Sequence, residues 1–300
     1  MSPTTKNWII ATRPWSFPAS TMPALVAISY VFFLKNEMTV DINWWYGVLA
    51  LIGAGIFQAS GNLIGDYFDY KYNVDRKDTF GSSRMLVDGV FKPKSILNFG
   101  ITFLVIGILL GLFLSLNTGV NLLWIGAIGV LGTYFYYKLK FMALGDLLIF
   151  IIYGPLIGLG TVFVMTNELN WNLFILEIPI AFLVVNILHA NNTRDIRDDG
   201  KANIKTQAML LGVKGSKIQY IVLALGAYIA VALMVTFRMI HPLTLSVFLT
   251  LPIALKNIKK IQLAETDKPE LIKDLDADSA QLVLIFSILL SLSNIVATWL

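Results

Sequence analysis

The chain has 300 residues, 56% of them hydrophobic and only 14% charged, with a mean hydropathy of +0.71 and a formal charge of +4. Soluble domains carry about 25% charged residues, so the composition excludes a soluble globular protein and leaves almost no sequence for a soluble appendage. There are no cysteines, which rules out disulfides, thiolate nucleophiles and Cys-ligated metals.

In chain order, the stretch up to Pro14 is polar and carries Lys6 and Arg13. The apolar run after it is too long for a signal-peptide core and lacks a small-residue cleavage site, so no cleaved leader is expected. Nine runs long enough to cross a bilayer follow, at about 16–34, 43–65, 95–116, 120–137, 143–165, 171–190, 217–237, 241–260 and 279–299. A tight turn at Asn117-Thr118-Gly119 joins the third to the fourth. Gly154-Pro155 predicts a kink in the fifth, and Pro242 and Pro252 interrupt the eighth. The fold class read here is an all-α membrane protein, one domain over residues 1–300. Its two halves, about 1–140 and 141–300, are related, because similar acidic clusters close the second and sixth spans.

With the N-terminus cytoplasmic, only Lys35 and Arg238 of the 23 basic residues fall on the outer side. That bias fixes the orientation and, with an odd number of spans, puts the C-terminus outside. Trp44, Trp45, Tyr46, Trp171 and Trp299 suit an aromatic belt on the outer face. The long loops, the acidic clusters and the basic excess share the cytoplasmic face.

Two acidic stretches carry the chemistry: Asn62-Leu-Ile-Gly-Asp66-Tyr-Phe-Asp69, and Asn191-Asn-Thr-Arg194-Asp195-Ile-Arg-Asp-Asp199. Carboxylates at the ends of apolar runs are costly unless they hold something positive. If the second helix continues past its apolar run, Asn62, Asp66 and Asp69 share one face; Asp195 and Asp199 are likewise i and i+4. Oxygen-only ligands in facing clusters suit Mg²⁺, which takes one or two carboxylates and fills its shell with water and phosphate. Arg84, Arg194, Lys201 and Lys205 are placed to neutralise a diphosphate, although the positive-inside rule also accounts for each of them. His189, two residues before Asn191, either lines the same cavity or packs against it. Tyr134, Tyr136 and Tyr137 offer ring faces to a cation or form part of an aromatic belt. No Walker loop, HExxH or Ser/His/Asp set is present, and nothing calls for a nucleic-acid partner. A transporter reading is disfavoured, because the acidic residues sit at helix ends rather than at midspan, where Glu177 is the main candidate.

Asn62-xxx-Asp66-xx-Asp69-xxxxx-Asp75 followed by Asn191-Asn192-x-Arg194-Asp195-xxx-Asp199 resembles the paired signatures of intramembrane aromatic prenyltransferases, the UbiA superfamily. Arg13-Pro-Trp-Ser-Phe-Pro, Leu144-Gly-Asp146 and the Asn-Asn-x-Arg-Asp form of the second motif are most similar to the 1,4-dihydroxy-2-naphthoate polyprenyltransferase branch, which serves menaquinone biosynthesis. The resemblance implies nine transmembrane helices around a central cavity, capped on the cytoplasmic side by the Asp-rich loops, in a bacterial plasma membrane. It further implies Mg²⁺ on Asp66, Asp69, Asp195 and Asp199, holding a polyprenyl diphosphate with help from Asn62, Arg84, Asn191, Arg194, Lys201 and Lys205. Arg13, Tyr137, Asp146 and His189 are expected on the acceptor or cavity side. The expected reaction prenylates 1,4-dihydroxy-2-naphthoate with loss of CO₂, giving demethylmenaquinone; another acceptor or a prenyl cyclisation is the alternative. Gly65 stands where the branch usually has Asn, and Asp146 where it usually has Glu, which bears on the acceptor half of the site.

Overall fold

A computed structural model describes residues 4–202 and 204–300. Among these residues there is no β-strand, only one isolated bridge in which the Lys205 N–H donates to the Phe141 carbonyl at 3.2 Å. The helices are α1 (Thr5–Ala11), α2 (Pro18–Leu34), α3 (Trp44–Lys71), α4 (Pro93–Thr118), α5 (Asn121–Phe141) and α6 (Gly145–Thr166). After a short turn of helix at Asn172–Leu176 come α7 (Ile178–Arg194), α8 (Ile196–Lys201), α9 (Gln207–Thr236), α10 (Leu251–Ile261) and α11 (Leu275–Ala297).

Local chemistry sets several of the helix starts. Thr4 and Asn7 form a reciprocal capping box on α1, and the Asn43 side chain accepts the Tyr46 N–H at the head of α3. Pro18 and Pro93 open α2 and α4, where a missing N–H costs nothing. Gly119, with φ of 122°, makes the turn between α4 and α5 that Asn117-Thr118-Gly119 predicts. At Gly154-Pro155 the expected distortion is a π turn over Ile152–Leu156 inside α6.

Among the described residues six helices are long and apolar enough to cross a membrane: α3, α4, α5, α6, α9 and Pro269–Ala297, which contains α11. A seventh is gained if α1 and α2, bent by 59° at their junction, count as one span. Two of the nine expected runs fall short of that length. α7 has 17 residues, and the eighth run divides into a 3₁₀ stretch, Pro242–Thr250, and the 11-residue α10. Pro242 and Pro252 each stand in the first turn of one piece, which is where the run divides. The apolar exterior, with Leu116 87% exposed and Leu109 61%, is that of an integral membrane protein.

Lipid supplies no hydrophobic drive between such helices, so close packing and buried hydrogen bonds hold them together. α3 packs most extensively on α4, α7 on α9, and α11 on α2 and α7. Where α3 meets α4, Gly100 lies against Leu63 and Ile64, and the Ser60 hydroxyl donates to the Gly100 carbonyl at 2.9 Å. Deeper in the second half, Tyr220 meets Ser279 and Tyr228 meets Thr250, each at 2.7 Å, and Asn294 donates to Ser29 at 3.1 Å. The α6–α7 contact leaves little room. A Cβ on Gly154 would fall 2.5 Å from the Ala181 Cβ and 3.2 Å from its Cα.

Gly154→Ala is therefore expected to cost about 1–3 kcal/mol, read as a lower thermal unfolding temperature of the detergent-solubilised protein. Gly111→Ala, whose added methyl meets nothing within 4 Å, should leave that temperature unchanged.

Candidate active site

α3 and α7 bring the two acidic stretches to one end of the bundle, where they share the rim of a cavity of about 180 Å³. Asn62, Asp69, Asp75, Asn191, Asn192, Arg194, Asp195, Asp198 and Asp199 all line it, together with Arg13, Tyr136 and Lys140. α3 does run past its apolar segment to Lys71, which places Asn62, Asp66 and Asp69 on one helix. The second stretch is not one continuous helix. α7 ends at Arg194, Asp195 forms the joint, and Asp199 lies on α8.

Within the first stretch the carboxylates face different partners. Asp69 Oδ2 accepts from Lys140 Nζ at 3.1 Å, while its Oδ1 is buried with no hydrogen-bond partner. Asp66 is turned away from the cavity. It accepts from the Ser83 hydroxyl at 2.6 Å and the Ser83 N–H at 3.2 Å, and pairs with Arg13 at 3.4 Å. Asp75, from the loop after α3, lines the wall with Asp69. Asn62 donates to the Thr12 carbonyl at 2.8 Å and to Ser16 at 2.9 Å, pinning the Arg13 turn against α3.

In the second stretch Arg194 organises its neighbours. It donates to both oxygens of Asp195 (2.8 and 2.7 Å), to Asn191 at 2.6 Å and to the Lys273 carbonyl at 3.1 Å. The same guanidinium lies under Gly81, where a Cβ would fall 2.9 Å from its Nη2 and where φ is 85°. Only glycine satisfies both demands. A second tie between the loops runs from Arg76 to Asp198 at 3.4 Å, and Asp198 also takes Lys201 at 2.7 Å.

Of the expected diphosphate contacts, Asn62, Asn191 and Arg194 line the cavity, while Arg84, Lys201 and Lys205 do not. Arg84 is bound to Asp88 at 3.2 Å and to the Thr79 carbonyl at 2.9 Å, and Lys201 is bound to Asp198. Among the expected acceptor-side residues only Arg13 reaches the wall. Tyr137 stacks on Phe68 with ring centroids 3.7 Å apart, and its neighbour Tyr136 lines the cavity instead. Asp146 and His189 are bonded to each other at 2.7 Å behind the wall. Lys140 is the residue that sequence reasoning had absorbed into the positive-inside count. The usable signal was its spacing, because Thr133, Tyr136 and Lys140 recur on the face of α5 that turns to the cavity.

Crowding raises the loop carboxyls. Burial, reinforced by the charges of Asp69 and Asp66, pushes Asp75 up to about 7. Burial also lifts Asp199 to about 7 against the opposing charge of Lys140, and lifts Asp195 against the hydrogen bonds of Arg194. The rim offers oxygen donors only, and among the described residues no three acidic or histidine side chains converge into a ready cage. Such a set, with one carboxylate oxygen buried and unpartnered, fits a hard cation that completes its shell with phosphate oxygens.

Residues 20–273 match the model of the UbiA prenyltransferase family. The chain is 32% identical to UbiA prenyltransferase domain-containing protein 1 of Rattus norvegicus over 240 residues, covering 77% of this chain and 68% of the relative. It is 30% identical to 1,4-dihydroxy-2-naphthoate octaprenyltransferase of Bacillus subtilis over 253 residues, covering 83% and 79%. In fold it is similar to the apo structure of a UbiA homolog from Aeropyrum pernix, with a TM-score of 0.67 at 16% identity over 92% of this chain and 97% of that one. It is also similar to a UbiA homolog from Archaeoglobus fulgidus bound to DMAPP and Mg²⁺, with a TM-score of 0.58 at 16% identity over 93% and 99%. The chain belongs to the UbiA prenyltransferase family, and its enzymatic class is that of a prenyltransferase.

The geometry separates the acidic and basic residues by consequence. Asp69→Asn and Asp199→Asn should each lower prenyl-transfer turnover by at least about a hundredfold; Asp199→Asn should keep the unfolding temperature, whereas Asp69→Asn, which strips Lys140 of its partner, should lower it. Arg84→Ala, off the cavity, should stay within about twofold of wild type in the same assay.

Proposed function

We propose that this chain, a UbiA-family prenyltransferase, transfers a polyprenyl group from its diphosphate to 1,4-dihydroxy-2-naphthoate with loss of CO₂, giving the demethylmenaquinone skeleton. The observation that carries the reading is the junction of two environments. The acidic and basic rim shares Gln58, Thr133, Ile152 and Tyr153 with the wall of an adjoining apolar groove of about 510 Å³ between α3, α4, α5 and α6. The groove wall runs from Gln58 back to Leu49 and from Thr133 back to Leu122, roughly 14–17 Å of helix at 1.5 Å per residue. A diphosphate belongs at the first and an isoprenoid tail in the second. The acceptor assignment rests on the Bacillus subtilis relative's name and on the flanking stretches of sequence.

In this reading Asp69, Asp75, Asp195 and Asp199 hold Mg²⁺, and Asp66 keeps Arg13 and Ser83 in place. Bound Mg²⁺ supplies charge neutralisation on the departing diphosphate. Lys140 and Arg194 add positive charge to the same rim, with Asn62 and Asn191 beside them, in a site whose low dielectric strengthens each contact. The prenyl C–O bond breaks with both electrons going to the diphosphate. Tyr136 and Tyr153 on the cavity wall face the allylic cation with π density rather than a nucleophile. The ring carbon bearing the carboxylate attacks, and the electrons of the departing CO₂ restore the aromatic ring, so the product leaves at the quinol level.

For the whole molecule we propose a single domain of nine spans with a cap formed by the two Asp-bearing loops. The N-terminus and the cap lie in the cytoplasm, the C-terminus outside, and the host is the plasma membrane. The distribution of Lys and Arg supports this orientation. At the end of the bundle away from the cavity, Trp44 and Trp299 both pack against Phe32, at 5.7 and 6.3 Å between ring centroids. The 3₁₀ stretch Pro242–Thr250 rises about 2.0 Å per residue, so with α10 it is long enough for a span. Glu177, the carboxylate read as midspan, stands at the N-terminal cap of α7, packed against Gly158 and off the cavity wall, which lends no support to an ion-transport reading.

Purified protein given Mg²⁺, a polyprenyl diphosphate and 1,4-dihydroxy-2-naphthoate should yield a prenylated product lacking the carboxylate by mass spectrometry, and none with EDTA. Mg²⁺-dependent diphosphate release without that product would move the acceptor assignment to another ring or to cyclisation.

Because metal ligands must be deprotonated, and Asp75 and Asp199 hold their protons up to about 7, acid should compete with the metal. The half-saturating Mg²⁺ concentration is expected to rise by roughly an order of magnitude between pH 7.5 and pH 6. A flat profile would argue that these two carboxyls are not ligands.

A further inference from the structure

Behind the cavity wall lies a polar network that the proposed reaction does not use. Asp146 at the head of α6 is 3% exposed and His189 on α7 is fully buried. The two ring nitrogens of His189 face the Asp146 carboxylate at 2.7 Å and the Ser216 carbonyl at 3.2 Å. A carbonyl only accepts, so Nε2 carries a proton toward Ser216, while Nδ1 faces the Asp146 carboxylate and lies 3.2 Å from the Gln219 amide nitrogen. Gln207 donates to the Gln219 oxygen at 3.0 Å, which turns the Gln219 amide nitrogen onto Asp146, also at 3.0 Å. Three helices thereby hold one carboxylate in a fixed position.

The remaining Asp146 oxygen, Oδ1, accepts from the Asn192 amide nitrogen at 3.3 Å. Asn192 is the one member of this network that lines the cavity. Reversing its amide would set two oxygens against each other in a buried site, which is unfavourable. The carboxamide nitrogen is therefore fixed to the rear, and among the described residues no hydrogen bond is made to its oxygen. Asn192 lies three residues before Asp195, one helical turn deeper than the acidic rim. The cavity wall also carries Ile149, Tyr153 and Leu188, largely apolar surface suited to a ring. An oriented neutral acceptor at that depth matches a hydroxyl donor. A prenyl diphosphate has no hydroxyl on its tail; a dihydroxylated ring does.

We propose that Asp146 and His189 form a positioning pair that locks the Asn192 carboxamide with its oxygen toward the cavity, where it accepts a hydrogen bond from a ring hydroxyl of the aromatic acceptor. This rests on the reading of the cavity as a prenyl-transfer site. Asn192 contacts substrate; Asp146 and His189 act through it.

The test is a kinetic double-mutant cycle in the detergent-solubilised full chain, with acceptor and prenyl diphosphate varied separately. Asn192→Ala should raise the acceptor KM by about tenfold, the worth of one hydrogen bond, and leave the prenyl diphosphate KM within about twofold. Asp146→Asn should raise the acceptor KM in the same direction, and the double variant should match Asn192→Ala alone, because coupled residues are not additive. Multiplying effects, or equal effects on both substrates, would overturn the pair and leave the prenyltransferase reading intact. Wild-type protein that prenylates no aromatic acceptor would overturn both. If Asp146→Asn does not fold, an acceptor with its ring hydroxyls methylated decides the matter. Wild type should discriminate against it and Asn192→Ala should not; undiminished discrimination in Asn192→Ala would overturn the assignment.

Discussion

The structure depends on keeping a dense group of carboxylates ionisable at the edge of a low-dielectric bundle. Isolated charges there would be neutralised or expelled, and this chain answers with dedicated cations. Lys140 reaches Asp69, Arg194 clasps Asp195 through two donors, and Arg13 covers Asp66. Each pair also joins separate elements: α5 to α3, α7 to its own continuation, and the turn before α2 to α3. Ion pairing at the rim is thus a folding constraint as well as the chemistry of the site.

From that constraint the division of the cavity follows. Charge is confined to the helix ends, so the wall below turns apolar within about two turns, and a groove with almost no polar lining adjoins it between α3, α4, α5 and α6. A substrate with a doubly phosphorylated head and a hydrocarbon tail is matched along its length by that gradient. Small residues let the helices carry it. Gly100 and Gly107 bring α4 close to α3, and Gly154 and Gly158 bring α6 close to α7, while the π turn at Ile152–Leu156 lies where the rim and the groove meet.

The loop that carries Asp75 and the short helix α8 that carries Asp199 are held by contacts of a different kind. Gly81 sits on the Arg194 guanidinium, Arg76 reaches Asp198, and Arg194 also binds the Lys273 carbonyl near the head of α11. These bonds cross between segments far apart in sequence. They bring both halves of the molecule into one site, and they leave Arg84 and Lys201 as partners of nearby acids rather than of the cavity.

Composition and motif spacing alone determined that the chain is an all-helical membrane protein with two acidic stretches at one end of the bundle, and the paired motifs carried the family resemblance. Those features are local: apolar run length, turn residues, and ligand types at helical spacing. Which side chain faces the cavity was decided only by tertiary structure. Asp66 and Asp69 are three residues apart on one helix, yet one is engaged by Ser83 and Arg13 and the other by Lys140. Tyr136 and Tyr137 are adjacent, and only the first looks inward. Asp146 and His189, separated by 43 residues in sequence, become a bonded pair because α6 and α7 pack together. Helical phase narrows such choices to a face about 100° wide. The partner arriving from another helix makes the final selection, and sequence spacing contains no record of it.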